Sequence, residues 1–348
     1  MIKSLLEVNM STAKEIEEYK NKVQEEQFLR PQTLNEYVGQ EKIKDMLGVS
    51  IKAAKMRGEP IDHVLLYGPQ GLGKTTLAQV IANEMGADIT IISGPAIEKT
   101  GDLAAILSQL KPYDVLFIDE IHRLQKVISE TLYSAMEDFV IDIVIGRESD
   151  ARTIRLDLPP FTLIGATTTY GMLAGPLRDR FGATYKLDFY SEDELKRICE
   201  RTARIYGNEI DPKSSREIAR RSRGTPRIVN RIFKRVRDYA DVTNDGIINY
   251  DITLRTLNNL NIDEDGLDDK DREYLLAIIN NFGGGPVGVD NLASSIAEDR
   301  LTIENVYEPF LIKNGYVQRT SRGRIVTEKA YKHLGIKHKV GIFAYDED

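Results

Sequence analysis

The octet Gly68-Pro69-Gln70-Gly71-Leu72-Gly73-Lys74-Thr75 follows an apolar run, His63 to Tyr67, and opens onto an amphipathic stretch. A glycine-rich turn ending in Lys-Thr at that junction commits the chain to strand, tight turn and helix in direct succession. The glycines, Gly71 and Gly73 among them, let backbone N–H groups face inward, and a helix beginning near Lys74 aims its positive end at the same point. Such a cradle suits phosphate. Lys74 would then reach the β and γ oxygens of a nucleotide, Thr75 would ligate magnesium, and Thr76 would lie beside them. The plainer reading, a glycine turn with no ligand, survives only until the next motif.

That motif is Asp114-Val115-Leu116-Phe117-Ile118-Asp119-Glu120, four apolar residues followed by two carboxylates. Adjacent acids at the end of a buried strand are costly unless they meet cations, so their presence points to a metal-bound polyphosphate. Asp119 is assigned to the hydrated magnesium. Glu120 is assigned to the water that attacks the γ-phosphate, as its general base.

The remaining pattern sets the organisation. Apolar runs at 63–67, 89–92, 115–118 and 161–166 alternate with amphipathic stretches, which predicts a parallel sheet with helices on both faces. From Ser191 to Asn258 only helical periodicity remains, and an acidic stretch, Asp263 to Asp271, follows. Beyond it three helical runs (273–282, 290–298, 302–313) precede a short alternating pair around Ser321-Arg322-Gly323, the pattern of a winged helix. The domains are therefore placed at 29–187, 188–260 and 261–340. A charged lead-in occupies 1–28, read over 11–27 as a frayed helix or a disordered segment, and an acidic tail occupies 341–348.

Composition narrows the setting. No run of about 18 apolar residues exists, and the apolar patch at the N-terminus is too brief for a signal peptide, so a cytoplasmic protein with no membrane partner is expected. One cysteine, Cys199, excludes an internal disulfide and a cysteine-based zinc cage. The net charge is −7, yet nine basic residues face three acids between Arg300 and Val340. Local sign, rather than the total, decides whether a surface meets phosphate.

The words Asp119-Glu120-Ile121-His122, Gly165-Ala166-Thr167-Thr168 and Leu177-Arg178-Asp179-Arg180-Phe181-Gly182 resemble the AAA+ family. Gly101-Asp102-Leu103, Asp157-Leu158-Pro159-Pro160-Phe161, Gly224-Thr225-Pro226-Arg227 and Gly283-Gly284-Gly285-Pro286-Val287-Gly288 are similar to its RuvB branch, the motors of Holliday-junction branch migration. The resemblance spans roughly residues 28–336. It implies a nucleotide site for ATP or ADP with Mg2+, in which Thr167 or Thr168 senses the γ-phosphate. Arg227 is implied as a second sensor that couples hydrolysis to a hinge between the large and small domains. Leu29, Arg30 and Tyr190 would line the adenine and ribose end, and Glu137, Asp138 and Phe139 the nucleotide edge that faces a neighbour. Arg180 resembles the arginine finger that completes the next subunit's site, with Arg178 as its competitor. A finger acting across a head-to-tail interface implies a ring, here a homo-hexamer. One departure stands out: Thr169-Tyr170 occupy positions where the family has Arg-Ala.

The resemblance also implies duplex DNA and Holliday junctions as substrates, RuvA as a partner and RuvC as a further one. In the winged helix the run 302–313 carries Glu304 and Glu308, which do not favour phosphate, whereas the hairpin offers Arg319, Arg322 and Arg324, with Arg300 nearby. Backbone contact by the wing is therefore expected, and it carries no base code. A protein-binding winged helix is the competing reading. A second hairpin, 141–145 against 153–158 and joined by the polar stretch Arg147 to Arg152, carries Ile143 and Ile145, which call for a cover. In RuvB-like proteins this insertion docks RuvA; packing on its own domain is the alternative. A protein unfoldase is disfavoured because Tyr37-Val38-Gly39, the only pore-like word, lies upstream of the phosphate loop. A clamp loader lacks support because Arg180 has no Ser-Arg-Cys setting. A nucleotide-switched transcriptional regulator has little need of Glu120.

Overall fold

The computed structural model describes residues 29–145 and 152–337, with backbone alone at 143–145 and 152–153. The lead-in, the polar turn of the 140–158 hairpin, the side chains of Ile143 and Ile145, and the acidic tail lie outside what is described. Of the described residues, 29–68, 73–188 and 200–208 form one compact unit, and 69–72, 189–199 and 209–337 a second.

The first unit contains α1 (Glu41–Arg57), β1 (Val64–Tyr67), α2 (Lys74–Met85), β2 (Ile89–Ser93), α3 (Thr100–Leu107), β3 (Val115–Asp119) and α4 (Lys126–Glu137). A hairpin follows, β4 (Val140–Ile145) with β5 (Arg152–Asp157), and then β6 (Thr162–Thr167), α5 (Gly175–Arg178) and β7 (Ala183–Lys186). The five sheet strands are parallel in the order β2-β3-β6-β1-β7. β6 is buried along its whole length and β3 over its four apolar residues, as strands covered on both faces must be. The order places β3, β6 and β1 side by side, so the segments leaving their C-terminal ends share one edge of the sheet. That edge is where parallel sheets bind ligands.

Close packing beneath the edge depends on one residue without a side chain. A Cβ at Gly165 in β6 would stand 2.9 Å from Cζ of Phe181 and 3.0 Å from Cδ1 of Ile121. β7, the outer strand, was not anticipated: its Ala-Thr-Tyr-Lys is too short and polar to show a period. No helix among the described residues is long and apolar enough to cross a membrane.

The second unit holds the first half of α6 (Glu192–Tyr206), then α7 (Pro212–Arg220), α8 (Pro226–Thr243) and α9 (Tyr250–Asn259). Asp211 caps α7 through Ser214 N, and Asn249 caps α9 through Ile252 N. Ile218, Val229, Ile232, Phe233, Val236 and Leu257 are buried from these helices. A separate core underlies the winged helix of α10 (Asp269–Phe282), α11 (Val289–Ser295), α12 (Arg300–Thr302), α13 (Glu308–Lys313), hairpin β8 (Val317–Thr320) with β9 (Gly323–Val326), and α14 (Glu328–His333). The single helix expected over 302–313 is instead interrupted by a π-helical turn, Ile303–Tyr307, followed by Pro309 in the first turn of α13. Proline has no N–H for an α-helical bond, which suits it to the start of a new segment.

Candidate functional site

Lys74 opens α2 and is buried, 7% exposed, with Nζ donating to the Gly68 carbonyl at 2.8 Å. Burial pulls its pKa below the ordinary lysine value, while Asp119 and Glu120 oppose that pull. An ammonium held out of water against two acids is a cation that an anionic ligand would favour further. Thr75 and Thr76 stand half-buried in the same first turn.

Asp119 ends β3, and its Oδ1 accepts from the backbone N of Glu120 at 3.0 Å. Glu120 itself adopts φ +49, a left-handed conformation that breaks the strand. Its Oε2 accepts from Thr168 Oγ1 at 3.3 Å and lies 3.3 Å from His122 Nδ1. Thr167, fully buried, places Oγ1 2.9 Å from that same His122 nitrogen and accepts from Thr169 N at 3.0 Å. Burial lowers the pKa of His122, against the opposing pull of Glu120, which favours the neutral ring. The two threonines are thus distinguished: Thr168 touches Glu120, whereas Thr167 reaches it through His122. Sequence reasoning gave His122 no role, although it stands two residues after Glu120 in a quoted word.

Within the second unit, Gly71 has φ +77, and a Cβ there would meet Thr225 Cγ2 at 2.7 Å and Arg227 Cβ at 3.1 Å. The backbone N of Arg227 donates to the Gly71 carbonyl at 3.4 Å. Arg227 is exposed, and its guanidinium makes no ion pair with a described residue. Tyr190 is buried, its hydroxyl donating to the Leu72 carbonyl at 3.1 Å and its backbone N to the Gly224 carbonyl at 2.9 Å. Gly71, Tyr190 and Arg227 are therefore brought together. In the first unit, Leu29 is buried with its carbonyl accepting from Arg201, and Arg30 is half-buried. Tyr37, 3% exposed, has its hydroxyl 3.5 Å from the Gly73 carbonyl.

Arg180 is held three ways. Nη1 donates to the Pro176 carbonyl at 2.7 Å, Nε lies 3.1 Å from Glu137 Oε1, and the guanidinium stands 4.3 Å from the Tyr133 ring centroid. Arg178 instead stands 5.3 Å from the centroid of Tyr170, whose ring stacks on Tyr67 at 4.5 Å. Tyr170, the unusual residue of this chain, thus braces Arg178 against the strand that feeds the phosphate loop. Glu137 and Asp138 are exposed, and Phe139 after them is half-buried. With φ +52 its ring turns inward, 5.8 Å from Phe161 and 6.4 Å from His63, because an apolar ring gains more from the core than from water.

The wing also corrects the sequence reading at one position. Arg319 and Arg322 are exposed, but Arg324 is 6% exposed, with Nε donating to Glu308 Oε1 at 2.6 Å and Nη2 to Glu304 Oε1 at 3.1 Å. Tyr274 donates to the same Glu308 oxygen at 3.1 Å. Arg324 therefore neutralises a buried carboxylate and does not face a ligand. Glu304 also pairs with Arg319 at 3.0 Å and Arg300 at 3.3 Å, whereas Arg322 makes no ion pair with a described residue.

A phosphate-loop sheet with paired acids after β3, a polar β6 terminus, a helical lid and a winged helix together define an AAA+ P-loop ATPase. Comparison agrees: residues 29–187 match the Holliday junction DNA helicase RuvB P-loop domain, 190–263 the RuvB AAA lid domain, and 264–335 the RuvB C-terminal winged helix domain. The chain belongs to the RuvB family. The Holliday junction branch migration complex subunit RuvB of Acholeplasma laidlawii (strain PG-8A) is 58% identical over 318 residues, 91% of this chain and 94% of that protein. The Thermotoga maritima RuvB Holliday junction branch migration motor is 52% identical, with a TM-score of 0.82 over 89% of this chain and 99% of that one. A lysine-to-arginine mutant of that motor gives 53% identity, a TM-score of 0.83 and the same coverage.

Proposed function

We propose that the protein is an ATP-hydrolysing motor that assembles as a homo-hexameric ring, pulls duplex DNA arms and so drives branch migration of Holliday junctions in recombination and repair. The observation that carries this reading is the convergence of Lys74, Asp119, Glu120 and Thr168 on one sheet edge, in a chain that ends in a winged helix with exposed Arg322. Relatives named for branch migration support it.

ATP would be gripped by the turn containing Gly71 and Gly73 and by Lys74, Thr75 and Thr76. Leu29, Arg30, Tyr190 and Arg227 would serve its base, ribose and phosphates. Thr75 and Asp119 are the residues to hold Mg2+, which neutralises phosphate charge and otherwise keeps several waters. Their two oxygens suit such a partly hydrated ion, and the described residues hold no cluster of three His, Cys, Asp or Glu fit for a fuller cage. Glu120 orients and deprotonates the attacking water, with Thr168 fixing its carboxylate and Thr167 acting through His122. Arg180 supplies positive charge to a neighbouring subunit's transition state, and Glu137, Asp138 and the backbone at Phe139 line that subunit edge.

On DNA, Arg322 and Arg319 of the wing, with Arg300, meet phosphates. The 140–158 hairpin docks RuvA; RuvC is a further partner, and the assembly works in the cytoplasm. We assign 29–187 to the large ATPase domain, 188–260 to the small helical domain and 261–340 to the winged helix, flanked by an extension at 1–28 and a tail at 341–348. A labelled four-way junction incubated with the protein, RuvA, ATP and Mg2+ should resolve on a gel into forked duplex products. Absence of those products with an active ATPase would overturn the reading.

A further inference from the structure

Arg223 lies one residue before Gly224 in the turn that carries Arg227, and it adopts φ +54, a conformation that disfavours any residue with a side chain. Its guanidinium is nearly enclosed, 9% exposed, and is satisfied entirely by the start of the winged helix. Nε donates to the Gly266 carbonyl at 2.8 Å, Nη2 pairs with Asp268 at 2.8 Å and also with Asp271, which is fully buried. The ring centroid of Phe310, in α13, lies 5.2 Å from the same guanidinium. A second contact reaches the same place: Lys313 at the end of α13 stands 4.2 Å from the centroid of Phe189, whose Cβ lies 3.0 Å from where Gly224 would carry its own. On its other side the turn presses on the phosphate loop, Thr225 and Arg227 against Gly71 and the Gly224 carbonyl on Tyr190.

We propose that Arg223 is a coupling strut, a positioning residue that makes the winged helix move with the turn that senses nucleotide. The proposal rests on the nucleotide reading of Gly71 and Arg227 given above. One end of the strut is covalently continuous with that turn, and the other is fixed to α10 and α13 by a bifurcated ion pair and an aromatic contact. Buried, directional contacts of this kind transmit displacement because they lack a low-energy alternative arrangement. Arg223 touches neither nucleotide nor DNA; it acts through Arg227 on one side and Asp271 and Phe310 on the other.

The test measures duplex affinity of the full-length protein with a non-hydrolysable ATP analogue and with ADP, and takes the ratio, alongside ATP hydrolysis without DNA. Arg223→Gln and Asp271→Asn should each shrink the ratio by about fivefold or more while basal hydrolysis stays within about twofold of wild type. The double variant should add nothing further, since both changes cut one connection. Phe310→Leu, which removes the aromatic contact and keeps an apolar side chain, should shrink the ratio less. A purely structural role would lower the melting temperature and leave the ratio intact, and that result in folded Arg223→Gln overturns the proposal. Should Arg223→Gln fail to fold, an unchanged ratio in both Asp271→Asn and Phe310→Leu overturns it equally. Wild-type protein that binds duplex equally in both nucleotide states would instead remove the motor reading beneath the proposal.

Discussion

The carboxylate of Glu137 lies 3.1 Å from Nε of Arg180, so the residue proposed to serve a neighbouring subunit is first held by its own chain. The pair joins the C-terminal end of α4 to the segment after α5, and the guanidinium also stands over the Tyr133 ring. An arginine restrained in this way loses less freedom on meeting a phosphate than one that swings in water.

Arg180→Ala should bind ATP as the wild type does and lose turnover by about 10³ to 10⁵, the range for a missing arginine finger. Its stability should fall by no more than about 1 kcal/mol, because Glu137 is half-exposed and water replaces the lost partner. Steady-state hydrolysis beside nucleotide binding separates the two effects. Full turnover in this variant would exclude Arg180 as the finger and leave Arg178.

Glu120→Gln should retain nucleotide and lose hydrolysis by about 10² to 10⁴, as removal of a general base does. Thr168→Val should cost less, since it leaves the carboxylate present but removes the donor 3.3 Å from Oε2. Single-turnover measurements rank the two; equal losses would mean that Thr168 has a direct role beyond orienting Glu120.

Two arginines of one hairpin should behave in opposite ways. Arg322→Ala should reduce the slope of log affinity for duplex against log salt by roughly 0.9, one phosphate contact, with no change in melting temperature. Arg324→Ala should leave Glu308, 1% exposed, without its cation and destabilise the protein by about 3 to 5 kcal/mol. Salt titration of binding, set beside denaturant unfolding, checks both.

Burial pushes the Asp271 carboxyl up to about 7 against the pull of Arg223, from an ordinary value near 3.8. Between those values the folded chain keeps a proton that the unfolded chain has released, so raising the pH from 4 through 7 lowers stability. At roughly 1.4 kcal/mol per unit, and allowing for the nearby guanidinium, the expected loss is about 1 to 3 kcal/mol. Asp271→Asn should flatten this part of the profile when unfolding midpoints are compared at pH 5 and pH 7.5. A parallel profile in the variant would assign the titration elsewhere.

What the sequence disclosed, and what it withheld, follows from how local each signal is. The phosphate loop and the acids after β3 are contiguous words, each tied to the end of one apolar strand, so Lys74, Asp119 and Glu120 are legible from sequence alone. The roles of Thr167 and Thr168 could not be divided, because the division depends on His122, which comes near them only when β3 pairs with β6. On the wing, Arg319, Arg322 and Arg324 are alike in sequence. Register makes Arg319 and Arg324 direct partners, and the added bridge from Arg324 to Val287 sets the second of them under cover. Arg223 passed unremarked because its significance lies in residues 43 to 87 positions further along the chain.

The bare backbone at Gly165 has a reach longer than its size suggests. The space it leaves is filled by the ring of Phe181, the residue directly after Arg180, so the placement of the charge proposed to serve another subunit leans on the emptiness of a central strand. A methyl group at that position would act at a distance: it would displace the ring next to Arg180 and, on the role proposed for that arginine, slow catalysis in a neighbour whose own residues were all intact.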